Sequence, residues 1–194
     1  MGNKTQRKKP RQNKNKSPLR RKIALIGFRG IGKTTLSQLL GNIYKTEVIS
    51  LDKKIEDEVQ MSIEEFVKKE GWAKFRELEK KILKEIAQKD GVFILDTGGG
   101  VVEDPDGNLS QEKIDILKNS FFCIYLTMPD QLLLERLSQL KNTKTRPDLP
   151  GGAEKLPDIL EKRKPMYLEA AHAVVDISSA TPAEAAERIR RLIG

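Results

Sequence analysis

The sequence predicts an α/β fold: a parallel sheet covered by helices on both faces. Three observations carry this. Several short runs are apolar almost throughout, as strands buried on both faces must be. Helical stretches with one apolar stripe alternate with those runs, which suits a layered α/β architecture rather than a sandwich or a bundle. A glycine-rich loop joins the first run to the first helix.

Taken in order, KIALIG (22–27) reads as a buried strand that ends on glycine, and residues 33–43 as the helix after it. TEVIS (46–50) is a second strand. Ser62 and Glu65 stand at capping-box spacing, so a helix begins there. Residues 72–89 carry Phe75, Leu78, Ile82, Leu83 and Ile86 at helical spacing. VFILD (92–96) and FFCIYLT (121–127) are strands, MPDQLLLERLSQL is helical, and so is the stretch around 155–164. HAVVDIS (172–178) is the last strand. Thr181, Pro182 and Glu184 then supply a cap, a first-turn proline and an N3 acid for the final helix. The polar, proline- and glycine-containing stretch 141–155 between two helices reads as a lid loop.

With 194 residues, the chain suits one domain with a substantial core. No apolar run approaches the ~20 residues of a membrane span. The lone Cys123 excludes an intramolecular disulfide and reads as a buried small apolar residue in a reducing, cytoplasmic setting. A single histidine, His172, excludes a multi-histidine metal site and reads as lining the start of the last strand. The net charge of +8 is uneven. Residues 1–22 hold ten Lys or Arg and no acid, whereas the rest carries 26 basic against 28 acidic residues. Residues 1–21 therefore read as a disordered basic tail and 22–194 as the folded domain. The tail reads as a solubilising extension, with weak nucleic-acid contact through residues 1–22 as the second reading. It has neither the apolar core of a secretory signal nor the Ser-rich make-up of a plastid address.

GFRGIGKTT (27–35) fits the spacing G-x-x-x-x-G-K-[ST] between a strand and a helix. Glycines let the backbone curl so that N–H groups face phosphate oxygens, and the helix N-terminus adds its positive end. Gly30, Ile31, Gly32, Lys33, Thr34 and Thr35 are thus the candidate ATP-binding residues, with Lys33 reaching the β- and γ-phosphates and Thr34 on Mg²⁺. The absence of an N-K-x-D segment downstream argues against a guanine-nucleotide switch. The length argues against a helicase, which leaves a small kinase.

Four further features follow the strands or flank the lid: Asp52, Arg76 with Glu79 one turn on, Gly98–Gly100, and Arg163. Taken singly, each has a plain alternative: a helix cap, a surface ion pair, a strand-exit turn and an exposed helical arginine. In a parallel sheet the carboxyl ends of the strands gather at one edge, so the features after strands two and three share an edge with the phosphate loop.

In this order the motifs resemble those of the shikimate kinase family. They are GFRGIGKTT, D-x-x-I-E at Asp52–Glu56, F-R-x-x-E at Phe75–Glu79, T-G-G-G at Thr97–Gly100, R-x-P-x-Y at Arg163–Tyr167, and Arg146-Pro147 in the lid, where Asp148 departs from the family's leucine. The resemblance covers about 22–194. It implies a three-layer P-loop kinase fold with a five-stranded parallel sheet in the order 2-3-1-4-5, and transfer of the ATP γ-phosphate to the 3-hydroxyl of shikimate by a monomer. It implies Asp52 as proton acceptor and hydroxyl partner, Arg76 and Arg163 as clamps on the substrate carboxylate, and Glu79 as the holder of Arg76. Gly98, Gly99 and Gly100 would be bare backbone against the ring, and Arg146 would lie over ATP with Lys33 and Asp52 at the reacting groups. A gluconate-type or nucleotide kinase is the rival enzyme, and a kinase-like nucleotide-binding module with a nucleic-acid-binding tail the rival class.

One departure stands out. The family pattern has D-x-D after strand two, its first Asp serving Mg²⁺, whereas this chain has Ser50 there. Asp96 ends the third strand, where the family has a small residue. The expectation is that the Mg²⁺ carboxylate has moved to Asp96, in the manner of a Walker B acid, with Thr34 as the other protein ligand.

Overall fold

A computed structural model of the chain describes residues 19–140 and 152–194. The basic tail before residue 19 and most of the lid stretch, Arg146 included, lie outside the described residues. Five strands form one sheet: β1 (Ile23–Ile26), β2 (Glu47–Ser50), β3 (Phe93–Asp96), β4 (Phe122–Thr127) and β5 (Ala173–Asp176). Every pairing is parallel and the order is β2-β3-β1-β4-β5, as expected. Among the described residues, seven α-helices accompany the strands: α1 (Lys33–Tyr44), α2 (Leu51–Val59), α3 (Ile63–Gln88), α4 (Gln111–Ser120), α5 (Asp130–Leu140), α6 (Leu156–Ala170) and α7 (Pro182–Ile193). α1 packs on α7, while α4 packs on both α3 and α6.

β1 and β3 are buried along their whole length because they are inner strands with helices on both faces. Outer β5 keeps only Val175 buried. Both predicted capping boxes form, Ser62 with Glu65 and Thr181 with Glu184. His172 extends the ladder between β4 and β5: its N–H donates to the Cys123 carbonyl at 2.8 Å, and its Nδ1 accepts from the Cys123 N–H at 3.1 Å.

Two helices are absent from the sequence reading, α2 and α4. Both start on a serine whose hydroxyl accepts from the backbone N–H three residues on: Ser50 from Lys53, and Ser110 from Lys113. Between Ile63 and Gln88 the helix breaks at Gly71 (φ 84°, ψ 166°), a region open essentially to glycine alone. The expected boundary between two helical stretches is therefore a sharp turn, and it sets the direction of the helix that carries Arg76. None of the helices among the described residues is long and apolar enough to cross a membrane.

Candidate active site

The phosphate loop curls as its glycines predict. Gly27, Gly30 and Gly32 have φ of 141°, 76° and 111°, values that side-chain-bearing residues rarely adopt. At Gly27 a Cβ would also lie 2.7 Å from the Leu126 carbonyl on the neighbouring strand. α1 then begins at Lys33 with no side chain capping its first turn, so its leading N–H groups face the loop. The buried Lys33 ammonium donates to the carbonyls of Gly27 (2.8 Å) and Phe28 (3.1 Å), which holds it inside the curl. Thr34 and Thr35 are exposed on the first turn, and Ile31 is buried beneath the loop.

Beside this loop lies a cavity of about 250 Å³. Its walls include Arg29 of the phosphate loop, Asp52 of α2, Arg76 and Glu79 of α3, Gly98–Gly100 and Arg163 of α6. Residues from five separate motifs thus meet in one place. Trp72 and Phe75 also line it and stand edge to face at 5.6 Å, with the Arg76 guanidinium 5.2 Å from each ring centroid. Arg29, Trp72 and Phe75 were not among the expected substrate residues. Phe75 is core and cavity wall at once.

The arginines are not surface residues. Arg76 is 6% and Arg163 2% exposed, so each needs a counter-charge. Arg76 Nη1 donates to Glu79 Oε2 at 3.0 Å, the pairing expected from F-R-x-x-E. The second partner is Glu103, which the sequence reading missed. Its carboxylate accepts from Arg163 Nε and Nη2, both at 2.6 Å, and from Arg76 Nη2 at 2.9 Å. One carboxylate therefore bridges both guanidiniums. Lys113, also missed and 1% exposed, donates to Glu79 Oε2 and to the Glu103 carbonyl, each at 2.7 Å. A lysine within the apolar stripe Lys113, Ile114, Leu117 was the signal available in the sequence.

Burial alone would raise the Glu79 pKa, but Arg76 and Lys113 outweigh it and hold the carboxyl below its ordinary value. For Lys113, burial dominates. Assisted by Arg76, it lowers the ammonium's pKa against the pull of Glu79 and Glu103. The two ends of this pair thus move in the same downward sense, because Glu79 has two cations beside it whereas Lys113 is buried next to another cation. Burial also opposes charge on Arg163, yet Tyr167 and Glu103 leave its pKa raised. Tyr167 donates its hydroxyl to the Gly99 carbonyl and stacks on Tyr125, which ties α6 to the glycine turn.

None of the three consecutive glycines has a left-handed backbone. Each is required by a different close approach. A Cβ on Gly98 would lie 2.8 Å from Asp52 Oδ1 and 3.1 Å from Glu79 Oε1. On Gly99 it would lie 2.8 Å from the Arg29 backbone nitrogen, and on Gly100 2.0 Å from Arg76 Nη2. The turn is bare so that Asp52, the phosphate loop and Arg76 can all close on it. The Thr97 hydroxyl pins it to β1 by donating to the Leu25 carbonyl at 2.7 Å.

Asp96 is buried at the end of β3, in register with Ser50 on β2 and Leu25 on β1. Its Oδ1 is fully buried and has no hydrogen-bond partner among the described residues. A buried carboxylate oxygen in that state fits a cation. No cluster of three or more metal-ligating side chains occurs among the described residues, so a cation here would draw on phosphate and water for its other ligands. Ser50 caps α2 through its hydroxyl instead (Lys53 N–H, 3.2 Å).

A sequence model of shikimate kinases matches residues 29–193. A shikimate kinase from Leptospira biflexa is 40% identical over 177 residues, which cover 89% of this chain and 95% of that protein. Shikimate kinase 2 from Escherichia fergusonii is 30% identical over 173 residues, 88% of this chain and 91% of that one. Among solved structures, a shikimate kinase from Acinetobacter baumannii in complex with shikimate superposes with a TM-score of 0.77 at 30% identity, covering 89% of this chain and 92% of that one. The fold, the ordered motifs and these likenesses along nearly the whole folded chain agree, and this chain belongs to the shikimate kinase family.

Proposed function

We propose that the chain transfers the γ-phosphoryl group of ATP to the 3-hydroxyl of shikimate, with the residues of the cavity in the following roles. The observation that carries this is the meeting of Arg76, Arg163, Asp52 and the glycine turn in one cavity against the phosphate loop. Two buried guanidiniums favour a small acid as acceptor over a nucleobase or a neutral sugar. Arg76 and Arg163 bind the carboxylate. Asp52, held against Gly98, accepts the proton of the attacking hydroxyl. The oxygen then bonds to the γ-phosphorus as the bond to the departing ADP breaks. Lys33 and the N–H groups opening α1 receive the charge of the phosphates. Asp96 and the Thr34 hydroxyl would hold Mg²⁺, whose charge offsets that of the phosphate oxygens. In that role Asp96 takes over from a carboxylate at position 50, its register partner.

Coupled ADP release with Mg²⁺-ATP tests the acceptor. Turnover with shikimate and none with gluconate or a nucleoside monophosphate is expected; turnover with either of the others instead would overturn the assignment. Asp96→Asn should raise the Mg²⁺ concentration for half-maximal rate severalfold and weaken Mg²⁺-ADP binding relative to ADP by the same factor. An unchanged Mg²⁺ dependence in the folded variant would return Asp96 to a structural role.

A further inference from the structure

We propose that Lys113, acting with Glu103, is a positioning residue for the acceptor's carboxylate, and that its positive charge is required for that carboxylate to bind. The proposal rests on the reading that the cavity takes a carboxylate.

Arg76, Arg163 and Glu79 line the cavity, whereas Lys113 and Glu103 do not. The latter two stand behind, in hydrogen-bond contact with the residues that do. Glu103 fixes Arg163 through two hydrogen bonds and Arg76 through one, so both guanidinium planes are set by a single group. Lys113 anchors this group at its backbone, through the Glu103 carbonyl, and anchors the second partner of Arg76 through Glu79 Oε2. A guanidinium pairs with a carboxylate through two parallel hydrogen bonds only when its plane is held close to the productive orientation. α3, the turn after β3, α4 and α6 each contribute to this arrangement, and the ion pairs join their side chains into one unit.

The charges point the same way. The five side chains comprise three cations and two carboxylates, a net of one positive charge in a buried cluster that opens on the cavity. One incoming carboxylate balances it. Removing the Lys113 ammonium would cancel the net charge and at the same time loosen Glu79 and Glu103. Both effects weaken carboxylate binding, so the sign is fixed. A purely structural ion pair would behave otherwise, because an apolar side chain of similar volume in place of a buried charge is often neutral or stabilising.

The groups facing Lys113 are Glu79 and Arg76 from α3, Glu103 from the turn after β3, and Arg163 and Tyr167 from α6 through Glu103 and Glu79. Burial lowers the Lys113 pKa and raises that of Tyr167 well beyond its ordinary value, whereas Tyr167 and Glu103 keep that of Arg163 raised against burial. Glu79 is held down in the acid range. Lys113 is therefore the cation of the cluster whose hold on its proton is weakened by its surroundings.

The test titrates shikimate into the wild type, Lys113→Met and Lys113→Arg, by calorimetry and by the fluorescence of Trp72, the chain's one tryptophan, which lines the cavity. Lys113→Met should bind shikimate at least tenfold more weakly. Its KM for shikimate should rise by the same factor, with the loss falling on KM rather than kcat and the KM for ATP unmoved. Lys113→Arg should restore binding. Wild-type affinity should fall at a pH below the ordinary lysine pKa of about 10.4, while that of Lys113→Arg stays flat there. Folded Lys113→Met with wild-type affinity would overturn the proposal. If Lys113→Met does not fold, Lys113→Gln takes its place, and wild-type affinity in that folded variant overturns the proposal. Failure of the wild type to bind shikimate at any pH would instead overturn the reading on which the proposal rests.

Discussion

Each alanine in the turn Gly98–Gly100 should damage a different step, and Gly100→Ala gives the sharpest case. The backbone at Gly100 is not left-handed, so alanine introduces no φ strain there. Its Cβ would instead lie 2.0 Å from Arg76 Nη2, 2.4 Å from Cζ and 2.6 Å from Nη1. Those atoms end a flexible side chain, so the guanidinium is displaced and the backbone stays. Arg76 then leaves its hydrogen bonds to Glu79 and Glu103. A hydrogen bond to a charged group contributes about 1.5–3 kcal/mol. Losing an equivalent amount from the substrate carboxylate, about 3 kcal/mol for two such bonds at the low end, raises KM roughly 100-fold at about 1.4 kcal/mol per tenfold. In coupled ADP release, Gly100→Ala should raise the shikimate KM by that factor and leave the ATP KM within about twofold. Gly99→Ala, which meets the Arg29 backbone at 2.8 Å, should act on ATP, and Gly98→Ala, which meets Asp52 at 2.8 Å, on kcat. An unchanged shikimate KM in folded Gly100→Ala, or a loss confined to ATP, would refute the reasoning.

Three further outcomes follow from the same geometry. Asp52→Asn keeps the shape of the side chain and removes the proposed proton acceptor, so kcat should fall about 10²–10⁴-fold while shikimate still binds by titration. Gly71→Ala meets nothing within 4 Å, yet φ of 84° is hostile to a side chain, so the cost is backbone strain of about 1–3 kcal/mol. Thermal melting should show it as a loss of about 2–4 °C per kcal/mol. His172 sits below its ordinary pKa of 6.5 because of burial and the nearby Lys118 and Arg21, and its neutral Nδ1 accepts from Cys123. The stability it contributes is present above pH 6.5 and lost as pH falls through its lowered value. Melting temperatures from pH 7 to 5 should therefore fall more steeply for the wild type than for His172→Gln. Equal slopes would remove His172 from the account.

The sheet was legible because β1, β3 and β4 are almost wholly buried, and full burial shows in sequence as unbroken apolar runs. α2 and α4 were not, because α2 buries only Leu51 and Ile55 and α4 places a lysine on its buried stripe. The phosphate loop, Asp52, Arg76, Glu79 and Arg163 were found through ordered motifs, and the fold brings Asp52, the two arginines, Glu79 and the glycine turn into one cavity. Glu103 escaped because nothing local distinguishes a buried acid in the polar stretch EDPDG from its exposed neighbours. Its importance comes from Arg163, sixty residues away in the chain. The glycine turn was read as bare backbone for the substrate, whereas its contacts within the protein, to Asp52, Arg29 and Arg76, already require all three glycines.

In the proposed function, Arg76 and Arg163 together select an acceptor by its carboxylate. The direct measurement compares ADP release with shikimate and with shikimate methyl ester, which keeps the ring and its hydroxyls but carries no charge. Turnover with shikimate is expected, with a KM for the ester at least about 100-fold higher, since two charge-assisted hydrogen bonds are lost. Equal KM values for the acid and its ester would contradict it.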